Sequence, residues 1–132
     1  MNVPEHLRYT RDHEWAEPVD NRVRVGITDY AQDALGDVVF VQVPEVGTNV
    51  QAGMSFAEVE STKSVSDVYS PVTGVVVEVN GDLVESPQKV NEDPYGTGWL
   101  CVMERANDGD EAPFLTAAEY KSLVGDAGTG GG

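Results

Sequence analysis

VESTKSVSDVYSPVTGVV, residues 59–76, reads as strand, turn, strand, turn and strand in quick succession. Phe56 to Ser61 alternate, with Phe56, Glu58 and Glu60 assigned to one face and Ala57, Val59 and Ser61 to the other. Val65 to Tyr69 is again strand-like, Ser70-Pro-Val-Thr-Gly74 has turn chemistry, and Val75 to Val79 is a branched run ending at the turn signal Asn80-Gly81. Lys63 stands at the first of these turns, with Ser61, Thr62, Ser64 and Ser66 around it. Glu58, Glu60, Asp67 and Glu78 supply carboxylates nearby.

The pattern extends in both directions. Residues 22–28 alternate charged and branched apolar side chains, Thr28 can cap a short helix over Asp29 to Leu35, and Gly36 would stop it. Asp37 to Val43 is a further strand, halted at Pro44 and turned through Glu45-Val-Gly47, and Val50 to Gly53 read as a connector. Residues 85–98 read as a loop carrying Pro87, Pro94, Gly96 and Gly98, before a last strand from Trp99 to Glu104. Thr116-Ala-Ala-Glu119 fits a capping box, so a helix is expected from Ala117 to about Val124, ending at Gly125. Residues 126–132 read as a flexible, glycine-rich tail, leaving 1–125 as one domain. Short strands punctuated by Gly and Pro imply a mainly β sandwich or barrel, and the similar plan of the runs on either side of Lys63 suggests an internal duplication.

Composition excludes several classes. Of 132 residues, eight are basic and 23 acidic, a net charge of −15. Such a field repels nucleic acid and anionic lipid and favours partners with basic surfaces, besides keeping the chain soluble. The single cysteine, Cys101, lies in an apolar run and rules out an internal disulfide framework. No apolar run reaches the ~18 residues of a membrane span, and MNVPEHLRYT lacks the apolar core of a signal peptide, so a cytoplasmic location is the default. His6 and His13 have no zinc-pair spacing, no Cys/His nucleophile can be assembled, and no phosphate-cradling glycine motif occurs. A conventional active site, and with it an enzyme, is not expected.

Three lysines remain: Lys63, Lys89 and Lys121. Lys121 falls in the C-terminal helix and Lys89 in the loop, where a solvated role suffices for each. Small residues leave the Lys63 amine open to an enzyme that would modify it, and a short turn between strands holds it at a protruding point, although on spacing alone an ordinary surface lysine remains the favoured reading.

The chain resembles the H-protein family of the glycine cleavage system. The likeness is carried by His13-Glu-Trp15, by Val25-Gly-Ile-Thr-Asp-Tyr-Ala-Gln-Asp-Ala-Leu-Gly36, and by Asp37-Val-Val-Phe-Val-Gln-Val-Pro44. It continues through Glu58-Val-Glu-Ser-Thr-Lys-Ser-Val-Ser-Asp67, Ser70-Pro-Val-Thr-Gly74, Glu78-Val-Asn80 and the segment from Asn91 to Trp99. The resemblance implies a lipoyl-domain-like barrel-sandwich hybrid, two antiparallel sheets with pseudo-twofold halves. It implies lipoate in amide linkage on Lys63, in a non-catalytic carrier. The partners implied are a pyridoxal-phosphate glycine decarboxylase that loads an aminomethyl group, a tetrahydrofolate-dependent aminomethyltransferase that removes it, and dihydrolipoamide dehydrogenase, which takes the electrons. Lipoyl-attaching enzymes are implied as well, and the carrier is expected to be a monomer.

Family likeness also assigns residues. Glu14 and Asp67, with Asp12 beside them, are the candidates for docking the loaded arm; position 12 is a small hydroxyl in some relatives, so Asp12 either strengthens amine binding or points into solvent. Taken alone, Glu14 would be read as a surface carboxylate next to a core tryptophan. Glu60 and Gly74 resemble residues that lipoyl-attaching enzymes recognise, although an outward strand position explains Glu60, and a positive φ after Pro71 would explain Gly74. Rival carriers fit less well. Biotinyl carriers flank their lysine with methionines, whereas Thr62 and Ser64 flank it here; lipoyl domains of 2-oxoacid dehydrogenases precede a long Pro/Ala-rich linker that is missing here. A module with an unmodified lysine, or one that passes lipoyl groups onward, is the remaining alternative.

Overall fold

The computed structural model describes residues 1–125; the tail at 126–132 lies outside the described residues. Nine strands and four helical segments form in order: β1 (Arg8–Tyr9), β2 (Glu14–Val19), β3 (Arg22–Ile27), α1 (Asp29–Leu35), β4 (Val38–Gln42), β5 (Asn49–Val50), β6 (Ser55–Ser61), β7 (Val65–Tyr69), β8 (Gly74–Val79), α2 (Asp82–Glu85), α3 (Lys89–Glu92), β9 (Cys101–Arg105) and α4 (Ala117–Val124). They build two sheets, a six-stranded one in the order β1-β2-β3-β9-β8-β5 and a three-stranded one in the order β4-β6-β7, with every pair antiparallel. The mainly β, two-sheet architecture with a short helix at 29–35 and a C-terminal helix is the one the sequence implies.

Branched side chains from both sheets meet in one core. Val23, Val25, Val76 and Met103 come from the larger sheet, and Val41, Val59 and Val68 from the smaller, all essentially without solvent contact. A second cluster gathers Leu7, Tyr9 and Trp15 from the N-terminal segment under Tyr120 of α4. Helix α1 begins at Thr28, whose hydroxyl accepts the Ala31 N–H at 3.2 Å, and ends at Gly36 with φ +85°. α4 begins with the complete capping box of Thr116 and Glu119 and ends at Gly125 in the left-handed region.

Four expectations need correction. Phe56 does not share a face with Glu58 and Glu60: a bulge between Ser55 and Ala57 turns Phe56 into the core beside Ala57, while both glutamates stay exposed. Asn80-Gly81 does not close a hairpin. The Asn80 amide is buried and donates to the carbonyls of Thr97 (2.9 Å) and Trp99 (2.8 Å), pinning a return path that contains α2 and α3 where a plain loop was expected. Within that path Lys89 sits 3.5 Å from Asp82. The Val50–Gly53 connector contributes Val50 to the two-residue strand β5. Strand β2 escaped notice because Glu14, Trp15 and Ala16 are all buried, covered on both faces, so no alternation marks it.

Candidate functional site: the Lys63 hairpin and an acid-floored cleft

Lys63 lies at the tip of the β6–β7 hairpin, and the tip is fixed from below by a serine. The Ser61 hydroxyl is buried and accepts the N–H groups of Lys63 (3.2 Å) and Ser64 (3.1 Å), while the Ser61 N–H donates to the Ser64 carbonyl at 2.8 Å. Thr62 N–H donates to the Asp37 carbonyl at 3.1 Å, tying the tip to the start of β4. The hydroxyl residues around the lysine therefore do more than leave it uncrowded; Ser61 sets the turn.

The lysine itself is exposed and forms no ion pair among the described residues. Its stem runs over Gly36: a β-carbon there would stand 3.3 Å from Lys63 Cε, and φ +85° already favours glycine at that position. Asn91 holds this bend. Its amide donates to the Gly36 carbonyl (2.8 Å) and to Gln32 Oε1 (2.9 Å), and its carbonyl oxygen accepts the Val38 N–H at 2.8 Å.

Beside the hairpin is a cleft of about 260 Å³. Asp12, His13 and Glu14 form one side, Tyr30, Ala31, Ala34 and Leu35 of α1 another, and Val65, Ser66, Asp67 and Val68 of β7 the third. The structure thus brings the three acidic candidates, Asp12, Glu14 and Asp67, to one cavity. Glu14 is not a surface carboxylate: it is 2% exposed. The Thr10 hydroxyl donates to Glu14 Oε1 at 2.5 Å and the Tyr69 N–H donates to Oε2 at 3.3 Å. Burial pushes the Glu14 carboxyl up to about 7, against the pull of the Thr10 and Tyr69 hydrogen bonds and with a further push from the Asp12 charge. Asp67 is exposed at the rim, where the Ser55 hydroxyl donates to its Oδ1 at 2.9 Å.

The two remaining candidates separate. Glu60 is exposed on β6, opposite Phe40 on one side and Val65 on the other. Gly74 opens β8 in the other sheet and does not have a positive φ. Its glycine is required because a β-carbon would overlap the carbonyl of Glu104 on β9, which corrects the turn explanation.

A family model described as glycine cleavage H-protein matches residues 7–127. The chain belongs to the glycine cleavage H-protein family. The glycine cleavage system H protein of Mycolicibacterium vanbaalenii is 56% identical over 128 residues, spanning 94% of this chain and 98% of that one. That of Coprothermobacter proteolyticus is 50% identical over 127 residues, covering 96% of this chain and 100% of the relative. The crystal structure of a glycine cleavage system H protein from Mycobacterium marinum superimposes with a TM-score of 0.87 at 48% identity, over 93% of this chain and 99% of that chain.

Sequence reasoning missed a chain of hydrogen bonds behind the cleft of this H-protein family member. His13 Nδ1 is 2.7 Å from the Tyr120 hydroxyl, which is 2.8 Å from the Thr28 hydroxyl that caps α1. His13 has φ +71°, and its ring packs on Tyr30 with centroids 4.7 Å apart. Burial lowers the His13 pKa, with Asp12 opposing, which keeps the imidazole neutral near pH 7. The capping box located α4 in the sequence, but nothing local to Tyr120 signals which residue its hydroxyl meets.

Proposed function

We propose that Lys63 carries lipoate in amide linkage, and that the protein shuttles an aminomethyl group from glycine decarboxylase to the tetrahydrofolate-dependent aminomethyltransferase and then electrons to dihydrolipoamide dehydrogenase. The observation that carries this reading is an exposed lysine, without an ion pair among the described residues, on a pinned hairpin tip beside a cleft with a buried carboxylate. When bound, lipoate supplies a dithiolane that takes up the one-carbon amine on one sulfur and exchanges two electrons.

The residues present fit that group. The Lys63 stem plus an octanoyl-length chain reaches on the order of 14 Å by summed bond lengths. The cleft, at about 260 Å³, is just below the ~300–1,000 Å³ usual for drug-sized ligands, room for the head of an arm. Ile27, Leu35, Val59 and Val68 in its lining suit an apolar chain, and the acidic groups suit an ammonium.

Glu14, Asp67 and Asp12 then hold the cargo amine in its protonated form. An ammonium opposite Glu14 favours the carboxylate and draws its pKa down from about 7. The added proton occupies the nitrogen lone pair, whose donation would otherwise break the carbon–sulfur bond and release the cargo to water, and the charge-assisted hydrogen bond to the carboxylate favours that protonated form. A neutral His13 brings no competing positive charge to the cleft. Glu60 is proposed as a contact for the lipoyl-attaching enzyme, and Gly74 as a position whose lack of a side chain preserves the β8–β9 contact it needs.

Intact-mass measurement on protein from its native cell tests the reading, with Lys63→Arg as the comparison. One lipoyl mass addition on the wild type and none on a folded Lys63→Arg is the expected result. A bare Lys63 in cells that still cleave glycine through this protein would overturn it.

A further inference from the structure

We infer that the free edge of β7 is the track along which the loaded arm lies, with the backbone N–H of Val65 donating to the carbonyl of the amide that joins the arm to Lys63; the inference rests on the carrier reading of Lys63. β7 is an edge strand, paired on one side only, with β6. Antiparallel pairing turns the backbone groups of successive residues alternately toward and away from the partner strand. The Ser64 carbonyl accepts the Ser61 N–H at 2.8 Å and the Ser70 N–H donates to the Met54 carbonyl at 2.8 Å, so the even-numbered residues of this stretch face β6. Val65, Asp67 and Tyr69 therefore aim their backbone groups the other way. The Tyr69 N–H, 3.3 Å from Glu14 Oε2, marks that direction as the cleft.

Three backbone N–H groups thus form a row that starts beside Lys63 and ends on Glu14. Tyr69 spends its N–H on the buried carboxylate. Those of Val65 and Asp67 have no partner in β6 and none elsewhere among the described residues. On an open edge water meets such groups; a chain lying over them must replace that water or leave them unsatisfied. The Lys63 stem already leans to this side. Its Cε and Nζ lie 3.3 and 3.9 Å from where a Gly36 β-carbon would stand, at the end of α1, which lines the cleft with β7.

Length and polarity select the pairing. The arm's amide begins ~6 Å from the Lys63 Cα by summed bond lengths, and Val65 lies at most ~7 Å along the chain. Val65 to Tyr69 spans roughly 14 Å at the rise of a strand, which the ~8 Å of arm beyond the amide covers together with the sulfur-borne amine and its hydrogen bond to Glu14. A trans amide points its oxygen and its N–H in opposite directions, so only one of them meets β7. α1 ends beside Lys63 with the carbonyls of Asp33, Ala34 and Leu35, which its own turns leave unsatisfied. An amide oxygen turned that way would face those carbonyls; turned to Val65 it meets a donor. Another protein's strand is a poorer occupant. The cleft of about 260 Å³ admits a thin methylene chain rather than a strand with its side chains, and a second copy of this chain brings a further −15.

Hydrogen exchange read at single amides by NMR tests the track, on protein lipoylated at Lys63 and loaded by glycine decarboxylase with glycine, against the same protein before lipoylation. Ser66 and Val68 point to β6 and should exchange slowly in both. Val65 should exchange almost unprotected before lipoylation and about tenfold or more slower once loaded. Val65→Ala keeps the N–H and should keep that slowing. Val65→Pro deletes an N–H that the β6 ladder does not use, so the sheet should still form, and release of the cargo to water should quicken about fivefold, the worth of one hydrogen bond. A Val65 amide that exchanges alike in bare and loaded protein would overturn the inference, as would an unchanged cargo lifetime in folded Val65→Pro. Slowing that scales with protein concentration would overturn it too, as the sign of a second copy on the edge. Any of these results on protein that takes up and delivers its cargo leaves the carrier reading standing; a Lys63 that never accepts lipoate sinks both.

Discussion

The hydroxyl of Tyr120 stands 2.7 Å from His13 Nδ1 across 107 positions of chain, and its other neighbour is the Thr28 hydroxyl at 2.8 Å. One side chain of the C-terminal helix therefore joins two walls of the cleft, the 12–14 segment and the N-terminus of α1. Both protonation states of His13 are served. A neutral ring with its proton on Nε2 accepts from Tyr120, which accepts from Thr28; a ring with a proton on Nδ1 donates to Tyr120, which then donates to Thr28.

Tyr120→Phe should keep the ring packing on Tyr9, whose centroid is 4.8 Å away, and lose only the hydroxyl. Thr28, fully buried, and His13 would each lose a partner, a loss of about 1–3 kcal/mol. Denaturant unfolding measures this. Amide hydrogen exchange at Ala31 should quicken with it, because the cap that holds that amide loosens; unchanged exchange would mean that the cap does not depend on Tyr120.

Glu14 gives a pH dependence with a defined sign. Its folded pKa of about 7 lies above the ordinary 4.5, so between those values the folded state binds more protons than the unfolded one. Its contribution to stability is complete below about pH 4.5 and is lost as pH rises to about 7. The loss is at most about 3 kcal/mol. Glu14→Gln should remove this downward slope. Absolute stability of the variant is a poorer guide, because a glutamine amide sets an N–H against one of the two donors, Thr10 or Tyr69, that the carboxylate accepts from. Parallel pH profiles for the two proteins would show that Glu14 does not titrate in that window.

Gly74→Ala separates two explanations of one residue. The β-carbon would overlap the Glu104 carbonyl, a backbone group that cannot rotate away, so β8 and β9 must part locally and stability should fall by about 1–3 kcal/mol. Reduced lipoate attachment should track that loss and recover when the variant is assayed well below its melting temperature. A variant of wild-type stability that is still refused by the attaching enzyme would make Gly74 a direct recognition residue.

Much of this was legible in the chain because local chemistry decided it. Thr28 and Gly36 bracket α1, Thr116 and Glu119 open α4, and the alternation of β3 is plain. Failures came where long-range packing overrode local pattern. Glu14 looked like a surface acid because no local signal reports that β7 and α1 cover it. Gly74 looked like a turn glycine because the Glu104 carbonyl it must clear is 30 positions away. Asn80 and Asn91 looked like loop asparagines, yet each spends its amide on carbonyls of distant segments. The lysine stands out only through the family likeness of its segment, since its local spacing alone fits an ordinary surface lysine; the cleft beside it is assembled from three separate segments.

The Ser61 staple gives the last prediction. Ser61→Ala removes the acceptor for the Lys63 and Ser64 amides and the hydroxyl that donates to the Ser64 carbonyl at 3.2 Å, but leaves the Ser61 N–H to Ser64 carbonyl bond in place. Water can reach both freed amides, since Lys63 and Ser64 are exposed, so the stability change should be modest, about 1 kcal/mol. The functional effect should be larger in proportion. A tip that samples several conformations presents Lys63 to an attaching enzyme for a smaller fraction of the time, so apparent KM for the protein should rise while kcat at saturation stays close to wild type. Amide exchange at Lys63 and Ser64 provides the independent readout, and it should accelerate without a matching change at Val59 or Val68. If those tip amides exchange as slowly in Ser61→Ala as in wild type, the hydroxyl does not hold the turn, and the backbone bonds from Ser61 to Ser64 and from Thr62 to Asp37 are sufficient.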